Sequence, residues 1–183
     1  MTDTPIIDHE SLREEIKKNN VRIIDVRRED DYKTSHITNS VNLPLAKLLN
    51  DDSAENIAKL AGDLGISDNT LVVVYDDTFG ALSSRVVWAL QYIGHNNVKL
   101  LDVTFSQWKE LGLDIDTKIP EIEKSTHSIN IRSDIMATAD YLEKVKDKKN
   151  VVIIDNRERL NFLEQHIPGA INIPYRTLAT DGQ

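Results

Sequence analysis

Residues 21–44 read VRIIDVRREDDYKTSHITNSVNLP, and residues 151–174 read VVIIDNRERLNFLEQHIPGAINIP. The second stretch lies 130 positions after the first and aligns to it without a gap. Nine of the 24 positions are identical: Val21/Val151, Ile23/Ile153, Ile24/Ile154, Asp25/Asp155, Arg27/Arg157, His36/His166, Ile37/Ile167, Asn42/Asn172 and Pro44/Pro174. Val41/Ile171 and Leu43/Ile173 differ but stay apolar. This period is far longer than the roughly 20–50 residues of stacked repeats, so it predicts two copies of one domain. The chain continues for only nine residues beyond the second copy. The expectation is one complete domain, then a sister that breaks off partway.

Working outward, the pattern alternates between strand and helix. Val21–Asp25 is a short apolar strand, residues 29–35 a short helix, and residues 41–43 a second strand stopped by Pro44. Asp8 is placed to cap a helix over residues 9–18 that carries Leu12 and Ile16. Residues 54–64 place Ile57, Leu60, Ala61 and Leu64 on one helical face, with Gly65 at its end. Leu71–Tyr75 is a continuous apolar run, as expected of a parallel strand buried on both faces. A helix over residues 81–93 follows, with Leu82, Val86, Leu90 and Ile93 facing inward, then a strand at Val98–Leu101. Phe105, Trp108 and Leu111 mark a last helix closed by Gly112. This order predicts an α/β domain with a parallel sheet flanked by helices, and a second, incomplete copy of it.

The expected boundaries are a first domain over 1–113, a linker over 114–127 that contains Pro120, and the start of a second domain over 128–183. In that second domain the reading places a strand at 128–132, a helix carrying Ile135, Ala139 and Leu142, and a strand at 151–154. A helix over 158–165 and a strand at 170–173 follow. The second segment has no counterpart of Leu71–Tyr75, of the helix after it, or of Val98–Leu101. Those are the elements that bury most area, so residues outside this chain are expected to complete it. Domain swapping between identical chains is the less favoured rescue.

Composition narrows the function classes. The 183 residues are 40 % apolar and 28 % charged, with a net charge of −8, which describes an ordinary folded domain. An acidic surface argues against nucleic acid as a partner, because phosphate binding needs clustered Lys and Arg. The lysine-rich run from Lys144 to Lys149 reads as a solvated helix end. No apolar leader occupies residues 1–20, and no run approaches the roughly 18 apolar residues of a membrane span, so a cytoplasmic protein without a membrane partner is expected. The absence of cysteine excludes disulfides, thiolate metal sites and a thiol nucleophile within these residues. The histidines at 9, 36, 95, 127 and 166 lack metal-ligand spacing, so no metal and no cofactor are expected.

Sites in α/β proteins gather at the C-terminal ends of the strands. Asp76-Asp-Thr-Phe-Gly80 stands there in the first copy, where the following helix could present backbone N–H groups to an anion. Asp76 and Asp77 would repel one. The pair reads either as an acid/base or cation site or, by preference, as a solvated loop with a capping aspartate. Asp25, Arg27 and His36 recur as Asp155, Arg157 and His166. Their recurrence favours a structural brace over catalytic acid–base work. Arg85 and Trp88 read as packing and loop-bracing residues.

Together these segments resemble the rhodanese family. The carrying residues are Asp25-Val-Arg27, Tyr32, Ser35-His36-Ile37 and Ser40 to Pro44, then Asp155-Asn-Arg157 and His166 to Pro174. Val72 to Asp76, Ser84 to Trp88, Gly94-His95, Val98, Phe105, Trp108 and Gly112 are similar to the N-terminal domain of tandem thiosulfate and 3-mercaptopyruvate sulfurtransferases. The resemblance implies a cysteine in the C-terminal domain, after the strand equivalent to Leu71–Tyr75, that takes up sulfane sulfur as a persulfide. It implies that Asp76 occupies the first-domain cysteine position, and that the catalytic Cys lies outside this chain. It further implies a small sulfur-containing anion as substrate and the remainder of the second rhodanese domain, from the same gene or a separate fragment chain, as partner. The family's substrate-binding arginine matches Asn161 here, leaving Arg159 as the candidate contact. On this reading the chain alone is inactive. A non-enzymatic rhodanese-like binding or regulatory module is the alternative. A related phosphatase would need a loop cysteine followed by arginine, and neither stands in register.

Overall fold

The computed structural model describes residues 4–19 and 21–177. It divides into two compact units, the first ending at Ile135 and the second beginning at Met136.

In the first unit the chain forms β1 (Ile6–Ile7), α1 (His9–Lys17), β2 (Val21–Asp25), α2 (Glu29–Thr34), β3 (His36–Ile37) and β4 (Val41–Asn42). It continues through α3 (Leu45–Leu49), α4 (Ala54–Asp63), β5 (Leu71–Tyr75), α5 (Ser83–Tyr92), β6 (Val98–Leu101), α6 (Phe105–Glu110) and β7 (Ile115–Asp116). Five strands make one parallel sheet in the order β1-β6-β5-β2-β4. This is the expected α/β architecture.

The central strand β5 shows why its sequence is apolar throughout. Successive side chains of a strand point to opposite faces. Val72 and Val74 join Ile24, Ile57, Ala61, Val86 and Leu90 on the face covered by α4 and α5. Val73 and Tyr75 join Leu12, Ile23, Phe105 and Trp108 on the face covered by α1 and α6. Helix starts follow side-chain chemistry. Asp8 Oδ1 accepts from Ser11 N–H at 2.8 Å, and Thr104 forms a reciprocal capping box with Gln107 at the start of α6. Leu111, expected on the buried face of this helix, falls just beyond its end and is exposed.

Four elements were not legible. β1, β3, β4's follower α3, and β7 are two to five residues long, too short to show a period. β7 lies inside the segment read as linker, where it pairs antiparallel with β3.

Residues 117–132 carry no regular structure and run along the first unit as a strap. The strand expected at 128–132 does not form. Its backbone is used elsewhere: Asn130 N–H donates to Ile93 O at 2.8 Å and Arg132 N–H to Tyr92 O at 2.9 Å. Ser128 bonds both carboxylate oxygens of Asp68, and Ser125 N–H donates to Gly62 O at 2.9 Å. Gly62 sits inside α4 for this reason, since a Cβ there would lie 2.5 Å from Ser125 O.

The second unit contains α7 (Ala139–Val145), β8 (Ile154–Asp155), α8 (Arg159–Glu164) and β9 (Ile171–Asn172), with β8 and β9 paired in parallel. The helix expected from Ile135 starts later, at Ala139, where Thr138 caps it. The strand expected over 151–154 is reduced to the two residues that β9 holds.

Under the strap, buried His95 places Nδ1 at 3.0 Å from His127 Nε2, and His127 Nδ1 lies 2.7 Å from Ser128 O. Burial, and then the neighbouring His127, push the His95 pKa below its ordinary 6.5. The unfolded chain therefore takes up a proton in that range which the folded unit refuses. Stability should be full above about pH 7 and should fall as the pH drops through 6.5. Urea unfolding between pH 7.5 and 5.5 is expected to show this loss, and NMR titration should place the His95 imidazole below 6.5.

Candidate functional site

The C-terminal ends of β2 and β5 lie side by side, with Asp25 opposite Tyr75. The Asp25 carboxylate is fully buried, and it receives Arg27 Nε at 3.0 and 3.1 Å, Arg27 Nη2 at 2.6 Å and the Tyr75 hydroxyl at 2.6 Å. Arg27 Nη2 also donates to Ser35 O at 2.8 Å, and its guanidinium stacks on the Phe105 ring at 3.7 Å. Asn42 Nδ2 donates to the carbonyls of Asp25 and Arg27, both at 3.0 Å. His36 stacks on Tyr32 at 3.9 Å and bonds its carbonyl through Nδ1 at 2.8 Å. Arg27 Nε and Nη2 are thus both directed at protein acceptors, tying the end of β2 to the turn at Ser35.

The same set recurs in the second unit. Arg157 reaches Asp155 at 3.0, 3.2 and 2.6 Å and Gln165 O at 2.6 Å. Asn172 Nδ2 donates to the carbonyls of Asp155 and Arg157, both at 2.9 Å. His166 stacks on Phe162 at 3.9 Å with Nδ1 at 2.8 Å from its carbonyl. The Asp155 carboxyl is held down at about 2, first by the Arg157 side chain. Arg159 opens α8, is exposed, and has no ion pair among the described residues. Asn161 lies in the same helix, exposed.

The loop after β5 departs from expectation in one respect. Asp76 is not solvated; it is 2 % exposed. The N–H groups of Thr78 and Gly80 donate to its Oδ1 at 2.9 and 3.0 Å. Those of Leu82 and Ser83 donate to Oδ2, both at 2.9 Å, joined by the Thr78 and Ser83 hydroxyls at 3.0 Å. The loop is thus an anion cradle, as its position before a helix suggested, and the anion in it is the protein's own carboxylate. Burial alone would raise this carboxyl, but the backbone donors of Ser83, Gly80, Thr78 and Leu82 outweigh it and hold the pKa below 3.8. Asp77 turns away and caps α6, accepting from Ser106 N–H and Oγ, both at 2.8 Å. An acid/base or cation site has no basis in this geometry, because every oxygen of Asp76 is committed to local donors.

An open cleft of about 420 Å³ adjoins the loop, lined by Arg27, Arg28, Thr34, Thr78, Phe105 and Lys109 among others. Arg85 stacks on Trp88 at 4.6 Å and pairs with Asp52 at 2.9 Å, away from that cleft's lining. Among the described residues no group of three or more His, Asp or Glu is arranged to hold a metal, and no helix is long and apolar enough to cross a membrane.

Sequence reasoning missed Tyr75, Phe105 and Asn42 as members of the brace. Asn42 could have been found, since it is one of the nine repeated positions. Tyr75 and Phe105 have no partner position in the second copy, so the repeat carried no signal for them.

The profile of the rhodanese-like domain matches residues 8–111 and again 138–183. The chain belongs to the rhodanese family. A probable 3-mercaptopyruvate sulfurtransferase of Schizosaccharomyces pombe is 32 % identical over 145 residues, covering 70 % of this chain and 49 % of that protein. The sulfur carrier protein TtuD of Thermus thermophilus is 27 % identical over 199 residues, covering 93 % of this chain and 69 % of its own length. SseA of Escherichia coli, described as a 3-mercaptopyruvate sulfotransferase with the rhodanese fold, superposes with a TM-score of 0.86 at 22 % identity, over 98 % of this chain and 78 % of that one. For several of these curated relatives, this rhodanese chain spans only about half of their length.

Removing the Asp76 carboxylate would leave buried N–H groups without an acceptor, at a cost of about 3 kcal/mol. Asp76→Ala should lower the stability of the first unit by about that amount in urea unfolding. Excess formate, a free carboxylate of the right size, should restore part of it.

Proposed function

We propose that this chain supplies the scaffold domain and part of the second domain of a sulfurtransferase acting in the cytoplasm. The reaction moves sulfane sulfur from thiosulfate or 3-mercaptopyruvate to a thiophilic acceptor such as cyanide. A cysteine thiolate attacks the outer sulfur of the donor, and the donor's bond to that sulfur breaks. Sulfite leaves from thiosulfate, or the pyruvate enolate from mercaptopyruvate, and a persulfide remains. The acceptor then takes the outer sulfur and the thiolate is regenerated, so no external oxidant or reductant is needed.

The observation that carries this reading is the cradle after β5. Its converging N–H groups suit a thiolate or persulfide, and here Asp76 fills it. A carboxylate oxygen cannot carry sulfane sulfur, and the chain has no cysteine. The reacting thiol therefore belongs to residues outside this chain, at the position after the second copy's counterpart of β5. Arg159, exposed and without an ion pair among the described residues, is proposed to contact the anionic donor. The filled cradle also favours a second reading, a rhodanese-like binding module without chemistry.

The two readings separate on one assay. The chain alone should form no thiocyanate from thiosulfate and cyanide. A fusion of the SseA segment that follows the matched part onto Gln183 should form thiocyanate, or pyruvate from 3-mercaptopyruvate. In that fusion Arg159→Ala should raise KM by about tenfold with kcat changed less than about twofold, the pattern of lost substrate binding. A folded fusion without turnover supports the module, and turnover by the chain alone overturns the scaffold reading.

A further inference from the structure

At the end of the sheet opposite the cradle, the first unit holds a cation that no described residue matches. Arg22 lies near the start of β2, opposite Val72 of β5. Strand alternation puts its side chain on the face of Ile24, the face that α4 covers. Its guanidinium passes over the turn that follows α4. Gly65 in that turn has φ +71°, and a Cβ on it would lie 2.9 Å from Arg22 Nη2. Glycine there leaves the space that the guanidinium fills.

Arg22 is half-buried, and its Nε is shut off from solvent without an acceptor. The side chain makes no ion pair or hydrogen bond among the described residues, and burial alone acts on its pKa, downward. The chain has 30 Asp and Glu against 22 Lys and Arg, so acids are not scarce. A guanidinium held from water and from carboxylates costs stability that a bound carboxylate would restore.

A polar hollow of about 550 Å³ opens at this point, lined by Arg22, Asn39, Ser67, Asn69, Thr70 and Glu121 among others. Its volume is in the range of small-molecule sites. The Ser67 and Thr70 hydroxyls are 3.0 Å apart and bond each other. Asn39 and Asn69 present side-chain amides without a protein partner among the described residues. Glu121, on the strap, is exposed and does not pair with Arg22. One hollow therefore offers a cation and an anion that do not neutralise each other, with neutral amides beside them. A plain anion would be attracted by Arg22 and repelled by Glu121, and a plain cation the reverse. A ligand carrying both charges satisfies both groups, because a guanidinium forks onto a carboxylate and a carboxylate accepts from an ammonium.

We propose that this hollow binds a free α-amino acid. Its carboxylate lies on Nη1 and Nη2 of Arg22, its ammonium on Glu121, and its polar side chain on the amides of Asn39 and Asn69. The site belongs wholly to the first unit and does not depend on the sulfurtransferase reading.

The test is an NMR titration of the full 183-residue chain at constant ionic strength near neutral pH, following the Arg22 Nε–H and the side-chain amides of Asn39 and Asn69. The probes are L-serine, 3-hydroxypropanoate (serine without its ammonium) and ethanolamine (serine without its carboxylate). L-Serine should move all of these signals saturably, with a dissociation constant in the millimolar range. Ethanolamine should bind at least about tenfold more weakly, and 3-hydroxypropanoate about threefold, since the exposed Glu121 contributes less than the half-buried Arg22. Arg22→Gln should weaken serine by at least about tenfold and Glu121→Gln by about threefold. Glu121 is exposed, so its variant keeps the fold and carries the test if Arg22→Gln does not fold. No saturation by about 100 mM serine would overturn the proposal. So would 3-hydroxypropanoate binding as tightly as serine, the mark of a plain anion site, or serine binding that Glu121→Gln leaves unchanged. No probe carries sulfur, so none of these outcomes bears on the sulfurtransferase reading.

Discussion

A carboxylate buried beyond the reach of water must be matched group for group, and Asp25 imposes that condition on the whole first unit. Its oxygens bind Arg27 and the Tyr75 hydroxyl, so the ends of β2 and β5 are fixed against each other. Arg27 then fixes the turn at Ser35 and lies on Phe105 of α6. The Tyr75 hydroxyl accepts from Ile37 N–H at 3.1 Å, which ties in β3. A buried ion pair is weak evidence for stability as such, because desolvation offsets much of the attraction. What it gives here is definition. Leaving any one of these groups unmatched is costly, so only one arrangement of the strand ends satisfies them all.

That definition places the loop after β5, and the loop shows how one scaffold separates holding charge from doing chemistry. Four backbone donors and two hydroxyls converge on a single point, an arrangement suited to an anionic sulfur as well as to a carboxylate. With Asp76 in place the cradle is satisfied and closed to outside anions.

Much of this was readable in advance. Strand β5 announced its burial on both faces by an unbroken apolar run, and α1, α4 and α6 by capping residues and helical spacing. The Asp–Arg pairing was legible because its two residues lie two positions apart and occur twice, whereas His36 and His166 bond the carbonyls of Tyr32 and Phe162 instead. The solvated loop expected at Asp76 was wrong about that residue, since an aspartate before a helix looks the same in sequence whether it faces water or converging N–H groups. Residues 128–132 are expected as a strand opening the second domain, yet they lie along Ile93, Tyr92 and Asp68 instead. Short elements such as β1 and α3 left no period to detect.

The sequence by itself determined the longer strands of the sheet, the family, and the repeated Asp–Arg pairing, because these depend on local spacing and on contacts made within a short stretch of chain. Tertiary structure alone decided that Asp76 is an internal anion, that Tyr75 and Phe105 complete the brace, and that residues 117–132 strap the first unit. Each of those depends on groups far apart in sequence meeting in a buried, low-dielectric place. There the pairing of charge and hydrogen-bond donors, and not residue type, sets what a side chain does.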